Sequence, residues 1–404
     1  MFGTDKKREG VYLVVDVGNF SVGAALVNLG TNHIPEIILN KRLSLPLAPT
    51  WNKEKAIDDT CKNLEKLLKI LLKESAVKLH LKLKKLETKK IQGILCVVSS
   101  PWCLSEIKTY GIKDEKPIEI NPKLIDLIIK KIDSHEAVGI GNSIREKNAQ
   151  TKIGEKEEAY KVIEKKIIET KLNGYVTLDP LGKIAKEIEF SVFEGKILKT
   201  VLDKVGSTIS AQVSGNIIFH SFSLAGFAII EEMFPDAHDY LMLEVIGEIT
   251  ELTSVKNGMI VGSTYLESGK NVFLRNVMKE FGVNPDIALS FIKLFYEKKS
   301  EKEFNSKIKE VIKHSELEWI QSFKKTLETL KEKLPLKIFL AMESPLAPFW
   351  SEFLKNQLIE SPLSENSEII SLNSPALSQF CKFESNEPDT LLAMDTIFLH
   401  KILQ

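Results

Sequence analysis

The stretch VYLVVDVGNFSVGAALVNLG, residues 11–30, decides the fold. It contains an apolar strand, a short turn with Asp16 and Gly18, and a second apolar strand. Glycine lets the backbone approach a bound group closely or take a positive φ. Backbone amides in such a turn can hold a phosphate, and a plain β-hairpin is the alternative. The sequence therefore predicts a strand–turn–strand unit that is a candidate phosphate turn.

The composition is that of a globular protein with more than one domain. A chain of 404 residues is too long for a single core, so we expect two or three domains. Its 55 basic residues balance its 55 acidic residues, which argues against a nucleic-acid coat. The four cysteines lack metal-ligand spacing, and no apolar run reaches the roughly 18 residues of a membrane span. We expect a protein of the cell interior without a metal–cysteine site.

The first hundred residues read as two or three strands, a helix and a buried strand. Residues 56–74 place leucines at helical spacing, with lysines on the other faces. This pattern fits a helix that packs on a sheet, and a helix that lies on a membrane surface is the less favoured alternative. The apolar run within residues 89–102 predicts a buried strand.

A small α+β insert follows. Residues 120–136 are predicted to be helical, and the polar residues 138–161 are predicted to form a flexible connection. Two alternating stretches with Pro180 and Gly182 between them read as strands.

A second strand–acid–turn–strand unit then begins. Residues 238–267 predict three strands, interrupted by Gly247 and by the hairpin signal Asn257-Gly258. Helices are predicted from residue 284 to 334, then a buried strand, a helix and a final helix. The second unit echoes the first, which indicates two related lobes.

Four segments in this order resemble the FtsA and PilM group of bacterial scaffold proteins, within the actin-like ATPase superfamily. The segments are VVDVGNFSVGAALV (14–27), VVSSPWCLSE (97–106), IIETKLNGYVTLDPLGKIAKEIEFSV (167–192) and the run from Leu243 to Val283. The resemblance covers nearly the whole chain. It implies an α/β, two-lobed actin-like ATPase fold with a small α+β subdomain inserted in the first lobe.

The resemblance also implies a division of the chain into domains. The expected parts are residues 1–104 (first-lobe sheet and helix), 105–194 (inserted subdomain), 195–234 (return to the first lobe), 235–373 (second lobe, with a helical part about 284–335) and 374–404 (a C-terminal helix that completes the first lobe).

In this superfamily ATP and Mg²⁺ lie between the lobes, held by the two turns. The residues that the resemblance places there are Asp16, Gly18, Asn19, Phe20, Ser21, Glu244, Gly247, Thr250 and Gly269. Asp16 is the implied metal ligand.

Much of the implied site departs from the family pattern. Ile246 is β-branched where backbone freedom is wanted, and Glu248 would bring a negative charge to a polyphosphate. Residues 341–344 replace a Gly-Gly turn beside the adenosine, and Gly226 aligns with the acid that positions water. We therefore expect no hydrolysis, and ATP and Mg²⁺ binding that is weak or absent.

The resemblance implies a cytoplasmic scaffold, held near the inner membrane by its partners, most like PilM in type IV pilus or type II secretion assembly. The expected partner is a cytoplasmic peptide or domain of a membrane protein that docks on the insert, roughly residues 118–193, with strand edges near 166–177. Self-association is a further possibility, and nucleic acid or direct membrane insertion is not expected. The chain ends soon after its last predicted helix, without the membrane-binding helix of FtsA-like proteins.

Two other functions stay open. An FtsA-like role in cell division is the alternative within the group. A small-molecule kinase of the same superfamily is the alternative from another class, although it would need intact phosphate turns and a general base.

Overall fold

A computed structural model gives the arrangement of most of the chain. It describes residues 9–30, 34–48, 50–82, 91–133, 145–149, 159–299, 301–330, 335, 337–343, 346–359, 367–384 and 388–404.

The first lobe is built on a mixed sheet. Its strands are β1 (Gly10–Val17), β2 (Ser21–Leu29), β3 (Glu36–Ser44), β4 (Ile91–Val98), β10 (Ile217–Ser221) and β16 (Lys382–Phe383). They lie in the order β10-β4-β1-β2-β3-β16. Strands β1, β2 and β3 form an antiparallel meander, and β4 and β10 extend the sheet in parallel from β1.

The second lobe repeats this plan. Its strands are β11 (Tyr240–Val245), β12 (Thr250–Lys256), β13 (Met259–Leu266), β14 (Lys337–Met342) and β15 (Glu368–Ser371). Their order is β13-β12-β11-β14-β15, again an antiparallel meander with two parallel strands beside its first strand. Asn257 and Gly258 have positive φ values of 50° and 72°, so the predicted hairpin turn is confirmed.

Helices cover both faces of these two sheets, and one further helix, the second along the chain, lies elsewhere. The helices are α1 (Lys53–Lys82), α2 (Pro122–Asp133), α3 (Lys199–Ser210), α4 (Phe222–Met233), α5 (Lys270–Phe281), α6 (Pro285–Tyr296), α7 (Lys302–Leu330), α8 (Ala347–Ile359), α9 (Ser374–Leu377) and α10 (Thr390–Leu403). Within the described ranges, no helix is long and apolar enough to cross a bilayer.

Helices α4 and α10 lie between the two sheets and join the lobes. One hydrophobic core contains side chains of both helices together with Tyr12 and Val14 of the first sheet and Met242 and Phe339 of the second. The first nine of the 12 residues of α4 are buried, as expected for a helix segment with apolar side chains on all sides. The lobes therefore share a core and are not separate globules.

The outer faces of the sheets have cores of their own. Leu64, Leu67, Leu68 and Leu71 of α1 are fully buried with α3 against the first sheet, so this helix packs on the sheet and not on a membrane surface. Helices α5, α7 and α8 cover the second sheet with an aromatic cluster around Trp319 and Trp350.

A third sheet follows the first lobe's β4 in sequence. It contains β5 (Cys103–Glu119), β6 (Arg145–Ala149), β7 (Tyr160–Leu172), β8 (Tyr175–Val176) and β9 (Ile184–Leu198), in the order β6-β5-β9-β7-β8. Helix α2 packs on it around a small core with Leu124, Ile128 and Phe190. The prediction of an unstructured connection at 138–161 is wrong at β6, whose sequence REKNA has no apolar alternation to reveal a strand. Most of the remainder of that connection lies outside the described residues.

Candidate functional site: the cleft between two turns

The direction in which the acidic side chains of the cleft point follows from the alternation of side chains along the central strands. Asp16 lies on the same face of β1 as Tyr12 and Val14, because successive strand residues point to opposite sides. Glu244 similarly continues the face of β11 that carries Met242. Both acids therefore face the space between the sheets, at the carboxyl ends of the central strands, where open α/β sheets bind their ligands.

The two predicted phosphate turns touch each other. A Cβ placed on Gly247 would lie 2.0 Å from Cβ of Phe20, and one on Gly18 would lie 3.3 Å from Cγ2 of Ile246. Asn19 also links the turns, since its Oδ1 accepts a hydrogen bond from the Glu248 amide at 2.9 Å. Its Nδ2 donates to the carbonyl of Ser100 at 3.0 Å. The first turn therefore packs directly against the second.

The amides at the start of α5 are already used. Lys270 N donates to the carbonyl of Ile246 at 3.0 Å, and Asn271 N donates to that of Gly247 at 2.8 Å. Gly269 makes this approach feasible, because a Cβ there would lie 2.5 Å from the Gly247 oxygen. A helix N-terminus binds an anion through free N–H groups, and these two point at protein carbonyls instead. Gly269 thus allows the start of α5 to pack closely against the turn that contains Gly247.

Arg42 is the centre of the charged cluster in the first lobe. Its Nη2 lies 2.6 Å from Oδ2 of Asp16, and its Nε donates to Oδ2 of Asp389 at 2.6 Å. Arg42 lies opposite Gly23 in the β2–β3 register, and the guanidinium occupies the space that a Cβ on Gly23 would need. The predicted metal ligand Asp16 is therefore paired with a cation of the chain itself.

Burial dominates the titration of Asp16. Removal from water raises its pKa to about 6, although Arg42 beside it acts in the opposite direction. Asp395 of α10 is buried as well, and burial together with the nearby Asp16 raises its pKa well above the ordinary value.

Glu343 reaches across from the second lobe. It follows β14, and its carboxylate accepts hydrogen bonds from Ser21 Oγ of the first lobe and from Lys270 Nζ of α5. Arg42 Nη1 lies 3.5 Å from the same carboxylate and donates to Ser21 Oγ at 2.9 Å. Burial opposes ionisation of Glu343, but Lys270 and Arg42 together lower its pKa to about 2. Glu343 is thus a charged carboxylate at neutral pH, shared by both lobes.

Glu244 has the opposite character. Its Oε1 accepts a hydrogen bond from Ser99 Oγ at 2.7 Å, and it lies opposite Glu251 in the β11–β12 register. Burial and the neighbouring Glu251 raise the pKa of Glu244 well above the usual range of a carboxyl group. A carboxyl group that keeps its proton is a poor ligand for Mg²⁺, which prefers carboxylate oxygens.

The remaining predicted residues have other surroundings. Thr250 is fully buried in the second lobe, where its hydroxyl donates to the Ser268 carbonyl at 2.8 Å. Glu248, predicted to repel a polyphosphate, accepts hydrogen bonds from Asn271 and Arg275, both at 2.6 Å. The structure thus brings the turn of Gly18, Asn19 and Phe20 into contact with the turn of Gly247. Ser21 joins the charged cluster, but Thr250 does not face the cleft.

Gly226 permits a close helix-to-sheet contact. A Cβ at this position of α4 would lie 2.4 Å from Sδ of Met242 on β11. The methionine thioether fills the space beside this glycine, at the position that the resemblance aligns with the water-positioning acid. A thioether cannot take a proton from water at neutral pH, so it does not replace that acid.

An open cavity flanks the paired turns. It has a volume of about 40 Å³ and is bordered by Phe20, Trp51, Lys55, Glu248 and Arg275 among others. This volume holds a few water molecules and is far smaller than a nucleotide site. Among the described residues, the place where the resemblance puts the polyphosphate is taken by the contact of Phe20 with Gly247 and by the hydrogen bonds of the α5 amides. The residues as arranged therefore do not fit Mg²⁺-ATP.

Comparison with known proteins identifies the fold. No protein-family model matches the sequence, and no curated protein matches it. Among solved structures, a chain of the PilM-PilN type IV pilus biogenesis complex matches with a TM-score of 0.58 and 12% identity, covering 98% of this chain and 99% of that one. The chain has the actin-like fold of PilM. The predicted fold is thus confirmed, and so is the resemblance to PilM at the level of fold.

Two other solved structures are less similar and have TM-scores below 0.5. The ethanolamine utilization protein EutJ from Carboxydothermus hydrogenoformans has a TM-score of 0.45 and 10% identity, with 96% of this chain and 90% of that chain covered. A protein of Bacteroides thetaiotaomicron with an actin-like ATPase fold has a TM-score of 0.37 and 11% identity, with 93% and 95% covered.

Among the residues of the charged cluster around Asp16 and Glu343, Arg42, Lys270 and Asp389 were not predicted from the sequence. Neither their spacing nor their surroundings in sequence connects them with Asp16. One signal was present, because a lone glycine inside an apolar strand, here Gly23, often marks a close approach of another group.

Proposed function

We propose that this protein is a cytoplasmic, PilM-like scaffold that docks to a membrane-protein complex of type IV pilus or type II secretion assembly. The observation that carries the proposal is the match to PilM, which extends over almost the full length of both chains. The structure of that relative is a complex with PilN, so a partner that engages this chain is the natural expectation.

We further propose that the scaffold works with weak or no ATP binding. The contact between Phe20 and Gly247 and the pairing of Asp16 with Arg42 support this proposal. Calorimetry with Mg²⁺-ATP and the purified protein tests it, with Asp16→Ala as the control. We expect no heat of binding at millimolar ATP. Micromolar binding that Asp16→Ala abolishes would show that nucleotide regulates the protein. Acceptor-dependent formation of ADP with a panel of hydroxyl acceptors, tested alongside, would expose a kinase.

The surface proposed for docking is the end of the third sheet beside β8. Apolar side chains are exposed there: Tyr175 (78% exposed), Leu178 (94%) and Ile184 (62%), with Val176 and Leu181 nearby. Among the described strands, the outer edge of β7 pairs only with the two-residue β8, at Lys171 and Leu172. An exposed edge beside apolar side chains suits an extended peptide that adds a strand.

Site-specific photo-crosslinking in cells tests this surface. A photoreactive residue in place of Leu178 should crosslink to a membrane protein, whose cytoplasmic segment mass spectrometry then identifies. Leu317 on α7 is the matched control, since it is also an exposed leucine (46%) but lies on the other lobe. Equal crosslinking of the same protein from both positions, or none from Leu178, would refute the proposed surface.

A further inference from the structure

The strongest unassigned feature is the set of donors that converge on Glu343. Ser21 Oγ and Lys270 Nζ donate to its two carboxylate oxygens, and Arg42 Nη1 lies 3.5 Å from one of them. Two cations and a hydroxyl around two oxygens are the donor set that proteins use to bind a carboxylate or a phosphate. Ser21 is almost fully buried, and Lys270 and Glu343 are about nine-tenths buried.

The donors come from three separate parts of the fold. Ser21 begins β2 and Arg42 lies on β3, both in the first lobe, whereas Lys270 begins α5 in the second. Gly23 leaves the space in which the Arg42 guanidinium lies, and Phe20 packs its ring 5.5 Å from Lys270 Nζ. These supports hold the donors in place around the carboxylate.

We infer that Ser21, Arg42 and Lys270 form an oxyanion site whose ligand is the chain's own Glu343. The carboxylate holds the lobes together, as a bound phosphate group would. This inference rests on the proposed loss of nucleotide binding, and it adds what takes the place of the ligand. It predicts that a free oxyanion binds the cleft only after Glu343 is removed.

Inorganic phosphate is the probe, and thermal unfolding at pH 7 is the measurement. Loss of one partner from a buried ion pair should lower the Tm of Glu343→Ala by about 4–6 °C in a chain of this length. Added phosphate should then restore part of the loss, because a ligand that binds only the folded state stabilises it. Wild type should show no comparable rise in phosphate relative to chloride at equal ionic strength.

Two further variants make the result specific. In Glu343→Ala combined with Lys270→Ala, the response to phosphate should disappear. Glu106→Ala is the matched control, because Glu106 is a buried carboxylate paired with Lys196 in the third sheet, away from the cleft. It should lose stability without recovering any in phosphate.

Glu343→Gln tests the charge and keeps the shape, in case the alanine variant does not fold. It should unfold at a clearly lower temperature than wild type. A Gln variant as stable as wild type would overturn the inference, as would equal responses to phosphate in Glu343→Ala and Glu106→Ala. A wild type that binds Mg²⁺-ATP would instead refute the proposed function. The two failures are therefore distinguishable.

Discussion

Substitution of Gly247 by alanine tests whether the two turns are in contact in solution. The φ angle of Gly247 is not in the left-handed region, so the backbone itself would accept a side chain. The new Cβ, however, would lie 2.0 Å from Cβ of Phe20 and 2.5 Å from Cγ. Carbon atoms need about 3.5–4.0 Å, so the turns would have to separate by about 1.5 Å or more.

Overpacking of this kind costs about 1–3 kcal/mol. Since the contact is between lobes that share a core, the whole fold should bear the cost, and for a chain of this length we expect a Tm lower by about 1–4 °C. Differential scanning calorimetry measures this shift. Phe20→Gly removes the opposing Cβ, so the double variant should lose less stability than the two single changes combined.

Gly206→Ala is the matched control for the same chemical change. Gly206 lies in α3, and the nearest side-chain atom to its added Cβ would be 3.8 Å away. Alanine at a helical position without a clash should stabilise by about 0.5–1 kcal/mol. Unchanged or raised stability in Gly247→Ala would refute the reasoning, because it would mean that the cleft is open in solution.

Three further predictions concern the buried interior. Because burial raises the pKa of Asp16 from 3.8 to about 6, its favourable contribution is complete below pH about 4 and lost as the pH rises through 6. Urea unfolding at pH 4.5 and 7 should therefore show wild type losing about 2 kcal/mol of stability between the two pH values relative to Asp16→Asn, and an equal change in both proteins would contradict the shift. Asp395 is fully buried, with neither carboxyl oxygen hydrogen-bonded among the described residues, so Asp395→Asn should raise the Tm at pH 8; a lower Tm would reveal a role for its charge. Trp350→Ala should cost about 3–5 kcal/mol in chemical unfolding, because the ring packs among Phe273 and other aromatic side chains, whereas Trp51→Ala (39% exposed) should cost much less; similar losses would contradict the packing argument.

The framework of the fold was readable from the sequence because its signals are local. Continuous apolar runs mark the central strands, and Asn257-Gly258 marks one hairpin by the positive φ values that it tolerates. Helix α1 carries its leucines at the spacing of one helical face. Strand β6 was missed because its sequence, REKNA, does not alternate apolar with polar residues, so only its pairing with β5 identifies it.

The cleft was less predictable, because its contacts join residues that are far apart in sequence. The bond between Ser21 and Glu343 spans 322 positions, and the pair Arg42 and Asp389 spans 347. Judged by the resemblance alone, Glu343 and Glu248 were interpreted as departures that weaken a nucleotide site. In the structure, each of these carboxylates is bound by basic side chains: Lys270 and Arg42 for Glu343, and Arg275 for Glu248. A residue that departs from a family's binding motif can have a new structural role, and that role is visible only when the structure shows which side chain it contacts.

These contacts bear on how the two lobes could keep a fixed arrangement without a nucleotide. Helices α4 and α10 already bury apolar side chains against both sheets, so much of the attraction between the lobes is hydrophobic and independent of any ligand. A buried carboxylate with its donors in place adds specificity to that core, because any other lobe orientation would leave Lys270 or Glu343 buried without a partner. A partner that binds the third sheet would then meet a surface whose orientation does not depend on the ATP concentration of the cell.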